Sequence, residues 1–352
     1  MNRKLLIVVL TCGFSIGCFS QNTEKKMIVI APKQTQQAER YYNNGLAKYN
    51  NKAYVAAIKD LRESIKINPT LSDVHKLLAR AYFANNQSDE AIDVLQRCLT
   101  QVVNKDSIYF LLTEMYYKSK RYVEAVAYAD ITIAEGWSNF DIYYLRGLAN
   151  LKKGQYAEAI NDLTQAIDKN KDVAQLYNDR ASAYRMSGDF VKAIDDYTKA
   201  ITLDEQPFYY NNRAGIKVLM EDFAAAIEDY TKAINLDEKY YQAYNNRGVA
   251  KSQNLDYQGA IEDFDKCLTM NTRYYKAYSN RGYAKYKLKQ YQEAIDDFTT
   301  AISFNNNYGE AYMHRGNAKE MMRNPQGACE DWTKAVALGV EKAQEYITNQ
   351  CE

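Results

Sequence analysis

Two columns of opposite charge run through the later part of this 352-residue sequence. Arg146, Arg180, Arg213, Arg247, Arg281 and Arg315 recur at a nearly constant interval. Asp162, Asp196, Asp229, Asp263, Asp297 and Asp331 follow them, each at the same offset from its Arg. A guanidinium presents its N–H donors in a planar fork that fits a carboxylate through two parallel hydrogen bonds. An open cationic row of this kind would recognise an anionic ligand. A row of internal pairs would instead zip neighbouring helices together. The two columns rise and stop together, so each charge has a partner in step with it, which favours the internal ladder. Lys217, Lys251, Lys285 and Lys319 stand one helical turn after an Arg, where they share the acidic column or reach solvent.

A second polar set precedes the arginines. Asn212, Asn246 and Asn280 stand directly before three of them, and Asn178, Asn211 and Asn245 lie in the column one position earlier. Asp179 and His314 hold the flanking repeats. An amide side chain both donates and accepts, so a row of them can pair with the backbone of an extended peptide. The same residues also suit a plain solvated face.

Other chemistry is sparse. The chain has only two histidines, His75 and His314, far apart in the sequence. There is no HExxH, no CxxC pair, no glycine-rich phosphate loop and no GxSxG. No catalytic residue, metal or cofactor is therefore assigned, and the acidic residues fall on repeat columns instead of forming a dyad. Lys and Arg total 45 against 44 Asp and Glu, which gives no reason to expect nucleic acid or an anionic membrane as the main partner. Cys98 and Cys267 occupy a small-residue core column. Cys329 opens the last repeat helix and Cys351 ends the final helix. If the chain reverses near Gly339, the two face each other and an oxidising compartment permits a disulfide.

The elements that position these residues follow from self-similarity. Ala57, Ala91, Ala125, Ala159, Ala193, Ala226, Ala260, Ala294 and Ala328 are evenly spaced, with a single slip of one position between Ala193 and Ala226. A mostly small residue stands at a fixed place before each, from Gly45 and Ala79 to Gly316, and another at a fixed place after, from Ser64 to Ala335. Small side chains at such places let two helix backbones approach closely. Each period reads as helix, tight turn, helix, and neither helix can bury its apolar stripe alone. Only 4 Pro and 15 Gly interrupt the chain.

The period and pattern resemble the tetratricopeptide repeat over about Ala38 to Leu338. The aromatic column one helical turn before the first small residue holds Tyr41, Tyr109, Tyr143, Tyr177, Tyr210, Tyr244, Tyr278 and Tyr312, with His75 as the exception. The family's proline after the second helix survives only as Pro69. The resemblance implies an all-α, right-handed superhelical solenoid of about nine repeats, with the first helix of each lining a concave groove. It implies a protein or extended peptide as partner. The asparagine column is similar to the one in the tetratricopeptide array of O-linked N-acetylglucosamine transferases. The family's carboxylate clamp is not matched: Lys76 and Arg80 lie one turn apart, but the asparagines that belong with them are missing.

The resulting domain plan has five parts. Residues 1–20 read as a secretory signal peptide, with a basic start and an apolar stretch from Leu5 to Ile16. A rival reading takes Ser15 to Cys18 as a lipobox, with lipid attached to Cys18. Residues 21–36 read as a flexible tether. Residues 37–139 hold three divergent repeats, 140–340 hold six regular Arg–Asp repeats, and 341–352 form a capping helix. The expected function is a non-enzymatic scaffold of a bacterial cell envelope, periplasmic or secreted. The alternatives are an outer-membrane lipoprotein that assembles a membrane complex, and a carbohydrate or cell-wall binder. The repeats name neither the partner nor an oligomeric state.

Overall fold

The computed structural model describes residues 32–102 and 105–351. These form α-helices arranged as nine hairpins and a cap. Unit 1 pairs α1 (Pro32–Asn50) with α2 (Tyr54–Ile67), unit 2 pairs α3 (Ser72–Ala84) with α4 (Ser88–Cys98), and unit 3 pairs α5 (Asp106–Lys118) with α6 (Tyr122–Ala134). Units 4 to 6 are α7 (Phe140–Lys152) with α8 (Tyr156–Lys169), α9 (Ala174–Ser187) with α10 (Phe190–Leu203), and α11 (Pro207–Leu219) with α12 (Phe223–Leu236). Units 7 to 9 are α13 (Tyr241–Gln253) with α14 (Tyr257–Met270), α15 (Tyr275–Lys287) with α16 (Tyr291–Phe304), and α17 (Gly309–Met321) with α18 (Pro325–Ala337). The cap is α19 (Ala343–Gln350). The first helix of a unit is called A below, and the second B. Each A helix packs on its own B helix, on the B helix before it and on neighbouring A helices. The result is an all-α solenoid.

The signal segment, Cys18 and residues 21–31 lie outside the described residues. α1 begins at Pro32, so residues 32–36 are helix and not tether. Tertiary contact then secures the extra turns: Ala38 is fully buried, and Ser64 Oγ donates to its carbonyl at 2.8 Å.

The close approach of A to B explains the small-residue columns. All nine alanines of the repeating series are completely buried. A Cβ on Gly248 would stand 2.7 Å from the Phe264 ring, and one on Gly316 would stand 2.6 Å from Trp332. Every A–B turn passes through one left-handed residue. Only Gly154 and Gly188 use glycine there, while Lys52, Asn86, Leu255 and Lys289 adopt φ of 60–65°. In units 5, 6, 7 and 9 the next residue, Asp189, Asp222, Asp256 or Asn324, caps the B helix by accepting from the backbone N–H three positions on.

Candidate interaction surfaces

In units 4 to 9 each arginine on the A helix grips the aspartate on its own B helix. Nε and Nη2 of Arg146, Arg180, Arg213, Arg247, Arg281 and Arg315 donate to the two carboxylate oxygens of Asp162, Asp196, Asp229, Asp263, Asp297 and Asp331, at 2.6–3.1 Å. All six aspartates are buried. The third nitrogen, Nη1, reaches back to the preceding unit's B helix. It donates there to Asp130, Thr164, Thr198, Thr231, Asp265 or Thr299 at 2.5–3.1 Å. Each guanidinium also stands over the tyrosine one turn earlier, from Tyr143 to Tyr312, at 5.4–5.8 Å from the ring centroid. Lys217, Lys251, Lys285 and Lys319 complete four of the sites with ion pairs of 2.8–2.9 Å to the same aspartate. In unit 4, Asn150 donates to Asp162 instead. The ladder is fully engaged internally.

The asparagines stitch A helix to A helix. Nδ2 of Asn212 donates to Asn178 Oδ1 at 3.1 Å, that of Asn246 to Asn211 at 3.0 Å, and that of Asn280 to Asn245 at 3.0 Å. Asn178 also donates to Asp179, which accepts from the Tyr144 hydroxyl at 2.7 Å. Burial pushes the Asp179 carboxyl above its ordinary pKa, against the lowering effect of these hydrogen bonds. Asn178 and Asn245 are buried and have no surface to offer a peptide. Their place in the groove row is corrected: the pairing across the unit boundary draws them inward. Asn211, Asn212, Asn246 and Asn280 stay half-buried.

Asn280 borders two cavities on the A side. One, of about 460 Å³, has Ser252, Tyr257 and Lys287 in its walls, and the other, of about 280 Å³, has Ser279, Glu310 and His314. Tyr283 lies between them. His314 packs against Tyr283 and Phe298, and burial pushes its pKa down to about 4, so the ring is neutral near pH 7.

A third A-side cavity, of about 390 Å³, spans units 1 to 3. Apart from Trp137, its walls come only from α1, α3 and α5. Tyr42, Leu46, Leu77 and the stacked pair of Phe110 and Trp137 (ring centroids 5.5 Å apart) form an apolar lining. Lys76 pairs with Asp73 at 2.6 Å, while Arg80 is exposed and has no acidic partner among the described residues. Sequence reasoning noticed these two cations only as an unfinished clamp. Trp137 it missed, because that residue follows α6 and reaches the cavity only through the stack.

At the far end Cys329 and Cys351 form a disulfide, with Cα atoms 5.7 Å apart, that ties α19 to α18. Trp332 stacks on Tyr346 beneath it. Cys98 and Cys267 are buried thiols whose pKa values burial pushes up to about 11 and about 12, which keeps them unreactive. Among the described residues no group of three His, Cys, Asp or Glu is placed to hold a metal ion, and no helix is long and apolar enough to cross a membrane.

Models of the tetratricopeptide repeat match residues 48–107, 144–209, 209–240, 241–274 and 275–308. The chain belongs to the tetratricopeptide repeat family. Among curated proteins it is similar to the photosystem I assembly protein Ycf3 of two Prochlorococcus marinus strains. It is 37% identical to that of strain SARG over 79 residues, which are 22% of this chain and 45% of that protein. It is 34% identical to that of strain MIT 9303 over 85 residues, 23% of this chain and 49% of that protein. The chain spans about half the length of these relatives. Among solved structures, a tetratricopeptide repeat protein from Parabacteroides merdae aligns with TM-score 0.59 at 17% identity, over 70% of this chain and 99% of that one. The Cut9 and Hcn1 complex aligns with TM-score 0.56 at 15% identity, over 90% of this chain and 76% of that one. These likenesses establish the repeat solenoid, an architecture that generally serves protein interaction.

Proposed function

We propose that this protein is a non-enzymatic scaffold, exported to the cell envelope, that holds an extended segment of a partner protein on its A-helix face. The carrying observation is the cavity across units 1 to 3. It joins an apolar, aromatic lining to an arginine without an acidic partner, in a protein whose ladder arginines each have several partners. A peptide with an apolar side chain next to a carboxylate would meet both features. The half-buried Asn212, Asn246 and Asn280 and His314 extend the same face toward the cap, with Asn211 behind them. The Cys329–Cys351 bond supports export, because such bonds persist in oxidising compartments, and the signal-like segment 1–20 agrees with it.

Site-specific photo-crosslinking tests the reading. A photoreactive residue at position 80 or 283 of the exported protein captures a discrete partner, while one at B-face position 232 does not. Equal capture at all three positions, or none at 80 and 283, contradicts it.

The partial likeness to a protein named for assembly favours a second reading, an assembly factor tethered through a lipid on Cys18. Loss of membrane association in Cys18→Ser supports that version. Unchanged fractionation leaves the unanchored scaffold.

A further inference from the structure

The B-helix side carries a second opening that the groove does not use. Between α2 and α4, over α3, lies a cavity of about 440 Å³. In units 4 to 9 the equivalent space receives the ladder arginine, which passes between its own B helix and the one before it. Unit 2 has Leu78 where those units have Arg, Val94 where they have Asp, and Tyr82 where most have Lys. Leu78, Val94 and Tyr82 all line the cavity. No side chain of unit 2 can make the brace.

The wall opposite has changed sign. At the position where the preceding B helix offers an acceptor to Nη1 in units 4 to 9, α2 carries Arg62. Arg62 is exposed and has no acidic partner among the described residues. Nearby Lys66 is paired with Glu63, and Arg97 with Asp93. Unit 3 also lacks the arginine, yet its space is closed. Tyr116 and Tyr128 stack there with centroids 5.2 Å apart, and Gln96 donates to both hydroxyls at 3.0 and 3.3 Å. In the cavity beside Arg146 in unit 4 the arginine is already paired, with Asp130 and Asp162. At unit 2 an apolar floor meets a rim that carries Arg62, Lys66 and Arg97 against Glu90 and Asp93, and of these three cations Arg62 is the one without an acidic partner among the described residues.

We propose that this vacant brace slot is a second docking site, on the face opposite the groove, for a protein segment that inserts one aromatic or long aliphatic side chain flanked by acidic residues. The floor of Ile65, Leu78, Tyr82 and Val94 takes the apolar side chain. Arg62, at the exposed rim, takes the carboxylate: complementary charge steers an acidic flank to the slot and disfavours a basic one. A basic flank would meet Arg62 as a like charge.

The probe is a dye-labelled pentapeptide with a central tryptophan between acidic residues, followed by fluorescence anisotropy with the mature protein. Two variants report on the slot. Leu78→Arg/Val94→Asp rebuilds the Arg–Asp pair of the hairpin and fills the slot, and Arg62→Glu reverses the rim while leaving the core untouched. Both weaken binding at least tenfold, as does replacing the acidic flanks by lysines, whereas Lys232→Ala in unit 6 has no effect. Absence of binding, equal affinity for the lysine-flanked peptide, or indifference to both slot variants overturns the proposal. If binding instead vanishes only in Arg80→Glu, the slot is rejected while the A-face reading stands.

Discussion

Unit 2 and unit 7 treat the same space in opposite ways. In unit 7, Arg247 holds Asp263 with two hydrogen bonds, reaches Thr231 on the preceding unit with a third and shares the carboxylate with Lys251. In unit 2, Leu78, Val94 and Tyr82 meet as apolar neighbours of the core. A buried ion pair and a well-packed apolar cluster of similar volume contribute about equally to stability, because charge desolvation offsets most of the attraction. What differs is what each leaves behind. The ionic version engages all three guanidinium nitrogens and fixes each unit's register against the one before. The apolar version satisfies its own hairpin only, and leaves a slot and an unpaired Arg62 at the unit boundary. The regular units are thus the internally saturated rod, and the divergent ones carry unsatisfied surface.

The largest expected effect comes from breaking one rung. Arg247→Ala leaves the buried Asp263 short of its main partner and costs about 3–5 kcal/mol, read as faster hydrogen exchange centred on α13 and α14. The sharper version transplants unit 2 into unit 7. Arg247→Leu/Lys251→Tyr/Asp263→Val restores the wild-type unfolding midpoint or exceeds it. A triple variant as unstable as the single one would show that the charges themselves are needed.

Next comes the cap. Cys329→Ser/Cys351→Ser removes a link across 22 residues and costs about 3 kcal/mol. The loss is confined to α18 and α19, since stability in a linear array depends on nearest neighbours. Exchange that rises equally in units 1 to 3 would argue against that locality.

Two glycines of the regular region should then part company. Gly248→Ala drives a methyl into Phe264 and costs about 1–3 kcal/mol. Gly215→Ala meets only the Tyr230 hydroxyl at 3.9 Å and gains about 0.5–1 kcal/mol from helix propensity. Paired thermal melts check both.

The smallest effect works through one ring. His314 is held neutral down to about pH 4 by burial, while an unfolded histidine takes up its proton near 6.5. Between those values the unfolded state binds the extra proton, so stability falls as pH falls through that window. His314→Asn should flatten this part of the profile. An unchanged slope would assign it to other groups.

Much of the architecture was legible because sterics repeat. Ala260 or Gly282 can be nothing larger where two helix backbones touch, so the period shows in the letters. The partnership of Arg247 with Asp263 was legible because the two columns keep a constant offset within one hairpin. The third bond was not: its acceptor changes between Thr and Asp, and it crosses a boundary whose geometry depends on how hairpins stack. The asparagines misled for the same reason. A row of amides reads as a face, but Asn245 accepts from Asn280 only once two A helices lie side by side. The slot in unit 2 is a missing side chain between walls from two different hairpins, so it becomes visible only when the walls are in place.

The central claim is that partner contact concentrates in units 1 to 3 while the regular units act as the rod. Hydrogen–deuterium exchange of the protein, with and without the partner captured at position 80, tests it most directly. Protection strongest over residues 72–118 and weaker over 211–280 is the predicted result. Protection confined to 211–280, with residues 72–118 unchanged, would contradict it.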